Sequence, residues 1–382
     1  MLVHMGICGI GLGHASRSIP VAKELLRRGH SITFTAYGEA QKLLEKEGFQ
    51  HTPNVNLSYG LSDDGSISVK RTILKNLLLP LRFAEQIARE TSVMDKWPPD
   101  VVYSDTRAST VVAAKVLGRP VIVVLNQYNI ALEVRRFLRL ARYVGHIIQA
   151  PEIIWDRSDI IAVPDLPPPY TISKYTLNTN PGTRLEYVGP LIEKRQISSR
   201  EVEQIRRRHN PDGKPLVFIH ISGNRPERER LAAAILRVIK DLGRYRFVVS
   251  LGNIGGPTHR ELGNVGIYDW VEDADALMAA SDIVVGRAGL TVISKAILYG
   301  RKIVAIPTPL HGEQLRNALR VEELGIGKML DEKDLASMGD ILEELSHGEE
   351  YGRTARALSS IASRMDGVLK VADIIEGLGY SI

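Results

Sequence analysis

Residues 286–318, GRAGLTVISKAILYGRKIVAIPTPLHGEQLRNA, hold residue types suited to binding a phosphorylated ligand. An apolar run ending at Val285 reads as a buried strand, and the turn Gly286-Arg287-Ala288-Gly289 then opens a helix with apolar residues at Leu290, Ile293, Ile297 and Leu298. Such a turn leaves backbone N–H groups pointing outward. A second buried strand over 303–306 ends at Pro307 and Pro309, and a second helix starts near His311, with Glu313, Gln314 and Asn317 in its first turns. Two helix N-termini, each a positive dipole end, then face one crevice at the carboxyl edge of a parallel sheet. Singly, these pieces have plainer readings. A Gly-rich turn packs helix on sheet in many α/β domains, and acidic or amide residues favour the first turn of any helix. Their combination at this spacing points to phosphate.

The start of the chain offers a second candidate. Residues 2–10, LVHMGICGI, form a strand-like run followed by Gly11-Leu12-Gly13-His14, then a helix with apolar positions at Ile19, Val21, Ala22, Leu25 and Leu26. An imidazole at the tip of such a turn sits at a cleft edge, and histidine ordinarily titrates near neutrality, so His14 could accept a proton from a hydroxyl. It could equally do no more than bond to backbone at a helix start. Asp105 ends the strand Val101-Val102-Tyr103 and so reaches the same carboxyl edge as His14; its plainer role is to cap the helix beginning near Arg107. A dinucleotide fingerprint requires G-x-G-x-x-G and an acid about twenty positions on. The glycines at 9, 11 and 13 fit loosely, and Ala36-Tyr37 supplies no acid.

These stretches resemble the GT-B glycosyltransferases. The 286–318 string resembles their C-terminal donor-binding motif, in the branch of the lipid II N-acetylglucosaminyltransferases, with plant-type UDP-glycosyltransferases more distant. Glu313-Gln314 and Asn317-Ala318 match the motif's ending, and GHASRSIPVAKELLRRGHSITF resembles the opening of the same family. The resemblance implies a GT-B fold, two doubly wound Rossmann-like domains facing a central cleft, and transfer of a sugar from a nucleotide-sugar donor, UDP-sugar favoured, to an acceptor hydroxyl or phosphate, without metal or cofactor. It implies that His14 acts as base with Asp105 as its orienter. It implies donor contacts at Gly13, at Ser222, Gly223 and Asn224, and at Arg287, Ala288, Gly289, Leu290 and Thr291. Lys295, His311, Glu313, Gln314 and Asn317 complete that set, with Trp270 and Val271 near the base; Trp270 reads equally well as core filler.

One position departs from the pattern. Where the lipid II branch has a Glu able to accept from both ribose hydroxyls, five residues before Gly300, this chain has Lys295, which only donates. The nucleotide is then held differently, or the donor is anionic there, or Lys295 pairs with an acid elsewhere.

Composition limits the alternatives. The chain has 382 residues, 44% apolar and 24% charged, which is enough for two cores and argues against global disorder. A net charge of +5 is mild for this length and gives no reason to expect nucleic acid. Cys8 is the single cysteine, so no intrachain disulfide can form. No run of about 18 apolar residues occurs, and the expected place is the cytoplasm, at the inner face of the membrane if the acceptor is a lipid. Strand-like runs near 2–10, 31–37, 101–105, 121–126 and 160–164 alternate with helices. After a Pro-rich break, runs at 216–221, 246–251, 265–268, 282–286 and 303–306 repeat the alternation. The expected domains are 1–190, acceptor-binding, and 191–365, donor-binding, with a last helix over 366–382 packing back on the first.

The acceptor is read from charge. Residues 129–148 place Arg135, Arg136, Arg139 and Arg142 among Leu132, Val134, Phe137, Leu138, Leu140 and Tyr143. That is the composition of an interfacial helix on anionic lipid, or of a core helix with a basic outer face. With Arg71, Lys75 and Arg82 it points towards a lipid or polyprenyl-phosphate acceptor. The rival readings are a non-hydrolysing UDP-N-acetylglucosamine 2-epimerase and a non-catalytic nucleotide-sugar-binding subunit.

Overall fold

The computed structural model describes residues 1–56, 79–128, 150–177, 184–210, 212–253 and 259–380. They divide into two compact units, one running up to Glu193 and resuming at Met365, the other Lys194–Arg364. The basic segment 129–148, with Arg71 and Lys75, lies outside the described residues. Among the described residues, no helix is long and apolar enough to cross a membrane.

The first unit contains β1 (Leu2–Ile7), β2 (Ser31–Ala36), β3 (Thr52–Pro53), β4 (Val101–Asp105), β5 (Val121–Val124), β6 (Ile160–Val163) and β7 (Leu185–Tyr187). They form one parallel sheet in the order β3-β2-β1-β4-β5-β6-β7. Parallel strands need crossovers, and helices such as Gly13–Arg27 and Ala108–Val116 supply them. Both sheet faces are therefore covered, which is why the strands read as unbroken apolar runs. Val3, Met5, Ile7 and Tyr103 pack on one face, Val102, Val121 and Val123 on the other. His4 and Thr35 interrupt the pattern because both meet the buried carboxylate of Glu90, which Arg107 also reaches at 2.6 Å. The last helix, Gly367–Gly379, packs on Gly13–Arg27; Arg28 bonds Asp373 and Glu376, each at 2.7 Å. Gly367 sits where a Cβ would lie 2.5 Å from the Gly189 carbonyl, so only glycine allows that approach.

The second unit contains β8 (Leu216–His220), β9 (Arg246–Ser250), β10 (His259–Leu262), β11 (Val265–Tyr268), β12 (Ile283–Arg287), β13 (Lys302–Ile306) and β14 (Gly327–Met329). Their order is β10-β11-β9-β8-β12-β13-β14, parallel except for β10. Both sheets are thus doubly wound, as the alternation of strand and helix predicts. Sequence periodicity misses β3, β7, β10 and β14. They are short strands at or near the sheet edges, and the one at His259–Leu262 is exposed at every residue, so no apolar run marks it.

Candidate active site

In a doubly wound sheet, ligands bind where the strand order reverses, beyond the carboxyl ends of the two strands that flank the reversal. In the first unit those strands are β1 and β4. The turn after β1 carries His14, and Asp105 is the last residue of β4, so the topology brings the two to one point. His14 Nδ1 lies 2.7 Å from Asp105 Oδ1. Arg17 and Ser18 follow on the same helix: Arg17 reaches Asp105 through Nε at 2.7 Å and Nη2 at 2.5 Å, and Ser18 donates to Oδ2 at 3.0 Å. Asp105 is fully buried, which alone would raise its pKa. The charge and hydrogen bonds of Arg17, with those of His14, outweigh burial and hold the carboxyl well below the usual carboxylate range. A carboxylate so held serves as acceptor for Nδ1–H. In the tautomer with Nδ1–H, Nε2 is the nitrogen able to accept, and the side chain is about one-fifth exposed. The helix that follows Asp105 has Arg107 at its N-cap and no side-chain cap bond, so Asp105 does not cap it.

Thr106 beside Asp105 has φ 50°, in the left-handed region that a β-branched residue rarely adopts. Its hydroxyl bonds Asp105 Oδ1 and the Val124 carbonyl and accepts from Arg17 at 3.0 Å, contacts that hold the backbone there. Such strain costs about 1–3 kcal/mol and tends to collect at functional sites.

In the second unit the order reverses between β8 and β12. Ser222, Gly223 and Asn224 follow β8, and the Ala288-Gly289 turn follows β12. The helix Leu290–Leu298 begins at Gly289 with no side-chain cap, leaving its first N–H groups open to an anion. The N-terminus of Gly13–Arg27 in the first unit is likewise without a side-chain cap. The third loop, after β13, is closed by its own residues: Thr308 N–H donates to Gln314 Oε1 at 2.8 Å, and His311 caps the helix Gly312–Glu323. Leu310 in that loop has φ 64° and is exposed.

Not every residue in the expected donor set faces outward. Arg287 is buried, and its guanidinium turns inward to Glu227 at 2.8 Å and Glu332 at 2.5 Å, so its side chain is not available to a ligand. Glu227 also accepts from Thr308 Oγ1 at 2.6 Å and Asn224 Nδ2 at 3.0 Å. One buried carboxylate thereby ties together all three loops that follow β8, β12 and β13. Asn317 is fully buried and donates to the Ala288 carbonyl at 3.0 Å, fastening the helix start to the Gly-rich turn. Leu290 is buried, and Thr291, Glu313 and Gln314 are half-buried. Trp270 and Val271 are half-buried in the turn before the helix Ala274–Ala280, so Trp270 is not a fully covered core residue. Lys295 bonds Asp275 at 2.7 Å, which selects the third of the alternatives for that position.

Sequence reading missed Arg17, Ser18, Thr106, Asn126, Glu227, Thr308 and Glu332. Arg17 and Ser18 were accessible, since positions three and four beyond His14 share its helix face. Glu227 was marked by Asn224 three residues earlier, a capping pattern. Glu332 comes from a separate segment and leaves no local sign. Among the described residues, no three His, Cys, Asp or Glu side chains group to hold a metal ion.

With this geometry stand the likenesses to known proteins. Residues 1–143 match glycosyl transferase family 1, and residues 227–375 match the C-terminal domain of glycosyltransferase family 28. The chain is 30% identical to an uncharacterized glycosyltransferase of Methanosarcina mazei, over 98% of each chain. It is 23% identical to a Clostridium botulinum UDP-N-acetylglucosamine--N-acetylmuramyl-(pentapeptide) pyrophosphoryl-undecaprenol N-acetylglucosamine transferase, over 95% of this chain and 96% of that one. Among solved structures it superposes on the glycotransferase of kitacinnamycin with a TM-score of 0.70 at 18% identity, covering 99% of this chain and 98% of the other. The calicheamicin glycosyltransferase gives 0.69 at 18%, covering 99% and 97%.

Proposed function

Because this chain belongs to the glycosyltransferases and has the GT-B fold, we propose that it moves a sugar from a nucleotide-sugar donor, UDP-sugar favoured, to an acceptor hydroxyl. The observation that carries this reading is that each sheet presents chemistry at its own switch point: a His14–Asp105 pair in the first, an uncapped helix start among three tied loops in the second. Nε2 of His14 takes the proton from the acceptor hydroxyl as its oxygen attacks the anomeric carbon. The bond from that carbon to the diphosphate oxygen breaks, and the diphosphate leaves with the electron pair. The N–H groups that open the helix Leu290–Leu298, with the Ser222-Gly223-Asn224 loop, take up the growing charge without metal. The first unit is then the acceptor side and the second the donor side. A lipid-linked acceptor is favoured by the undecaprenyl-linked substrate in one relative's name and by the basic, apolar composition of residues 129–148. No relative compared above is an epimerase.

Glu313 and Gln314 are assigned to the sugar hydroxyls. Replacing either with Ala should weaken binding of the intact donor by roughly 0.5–3 kcal/mol while changing that of the free nucleoside diphosphate much less. Gln314 also closes the loop after β13, so its replacement should disturb that loop as well. Calorimetry with both ligands checks this, and equal losses would count against it.

Lys295 and Asp275 are assigned to the ribose end of the site. Lys295→Glu alone would set two carboxylates against each other. The exchange Lys295→Glu with Asp275→Lys keeps the pair and puts an acceptor at 295. It should tighten UDP binding by about 1–2 kcal/mol through bonds from the ribose hydroxyls to a charged group. Unchanged or weaker binding by the exchanged pair would remove this helix from the ribose site.

A further inference from the structure

The His14–Asp105 pair has a third charge inside it. Arg17, 6% exposed, lays its guanidinium along both oxygens of Asp105 and donates through Nη1 to Asn126 Oδ1 at 2.8 Å. The same Nη2 that meets Asp105 lies 3.1 Å from His14 Nδ1. Nδ1 therefore has a carboxylate oxygen at 2.7 Å and a guanidinium nitrogen at 3.1 Å, opposite charges at comparable range. A carboxylate alone favours the protonated ring, and a neighbouring cation disfavours it.

We infer that Arg17 sets the charge state of His14: it cancels the pull of Asp105, so that the ring stays neutral with Nε2 open, while Asp105 still fixes the tautomer through Nδ1–H. The inference rests on the reading of His14 as base and adds a positioning residue to it. Among the described residues, the other charged group close by, Arg107, turns its guanidinium to Glu90 at 2.6 Å, and the remaining neighbours bring no charge. Burial pushes the Cys8 thiol and the Tyr103 hydroxyl up, so both stay neutral, and Thr106, Ser18 and Asn126 carry no charge. Without Arg17, Asp105 would hold a proton on His14 and remove the acceptor of the acceptor's proton.

The test is an NMR titration of the His14 ring in the full chain, its signal assigned by its loss in His14→Gln. Arg17→Gln should raise the midpoint by about one pH unit or more. The acidic limb of the pH–rate profile should move with it. Asp105→Asn should lower the midpoint, and the double variant, which removes both charges, should return it to within about half a unit of wild type. Arg17→Lys, which keeps the charge, should leave it near wild type. A purely structural Arg17 would leave the midpoint unmoved in folded Arg17→Gln, and that result overturns the inference. If Arg17→Gln does not fold, Asp105→Asn and the double variant decide, and equal midpoints in those two overturn it. The titration needs no turnover, so it reports on Arg17 separately from whether His14 is the base.

Discussion

Replacing His14 with alanine will lower sugar transfer by about 10²–10⁴-fold, the usual cost of losing a general base, and leave nucleotide affinity within about twofold. The separation follows from where the groups sit. His14 and its partners Asp105 and Arg17 belong to the first unit, whereas the uncapped helix start and the Ser222-Gly223-Asn224 loop belong to the second. A base acts on the acceptor hydroxyl in the transition state, so its loss falls on turnover and spares ground-state donor binding. The fold should tolerate the change, because His14 is partly exposed and Arg17 and Ser18 still satisfy Asp105. Single-turnover rates with saturating donor, paired with calorimetry of the nucleoside diphosphate, measure both halves. Transfer within about threefold of wild type, where chemistry limits the rate, would end the base assignment.

What could be read from the sequence is what is local in it. The strand, Gly-rich turn and helix at 283–298 are contiguous, and so are the strand, turn and helix at 2–27; both doubly wound sheets follow from repeating that unit. The juxtaposition of His14 and Asp105 was also legible, because two strand ends in a parallel sheet share an edge. Arg287 shows where such reasoning stops. Its place in the Gly-rich turn suggests a ligand contact, yet Glu227 and Glu332, from separate segments, draw it into the interior. Asn317 is similar: its helix position points to the donor, but its Nδ2 donates to the Ala288 carbonyl. Charge in the right place along the chain does not say which way a side chain turns when its partners are remote. The same limit hid Arg17, whose position beside His14 was visible but whose bond to Asp105 needed the packed sheet.

The claim on which the rest depends is that the helix start at Gly289 holds the diphosphate of the donor. Gly289 is well suited to a direct test. Its φ of −74° and ψ of 140° suit any residue, and a Cβ there would meet nothing within 4 Å. Aspartate is among the preferred N-cap residues, so Gly289→Asp should leave stability unchanged or raise it slightly while its carboxylate occupies the N–H groups meant for phosphate. Like charge would then face like charge, and the anion would lose its donors. Calorimetry of wild type and Gly289→Asp with a panel of nucleoside diphosphates, UDP first, should show binding by the wild type and a loss of about 100-fold or more in the variant, close to 3 kcal/mol. A folded Gly289→Asp that binds as tightly as wild type, or a wild type that binds no member of the panel, would contradict the account.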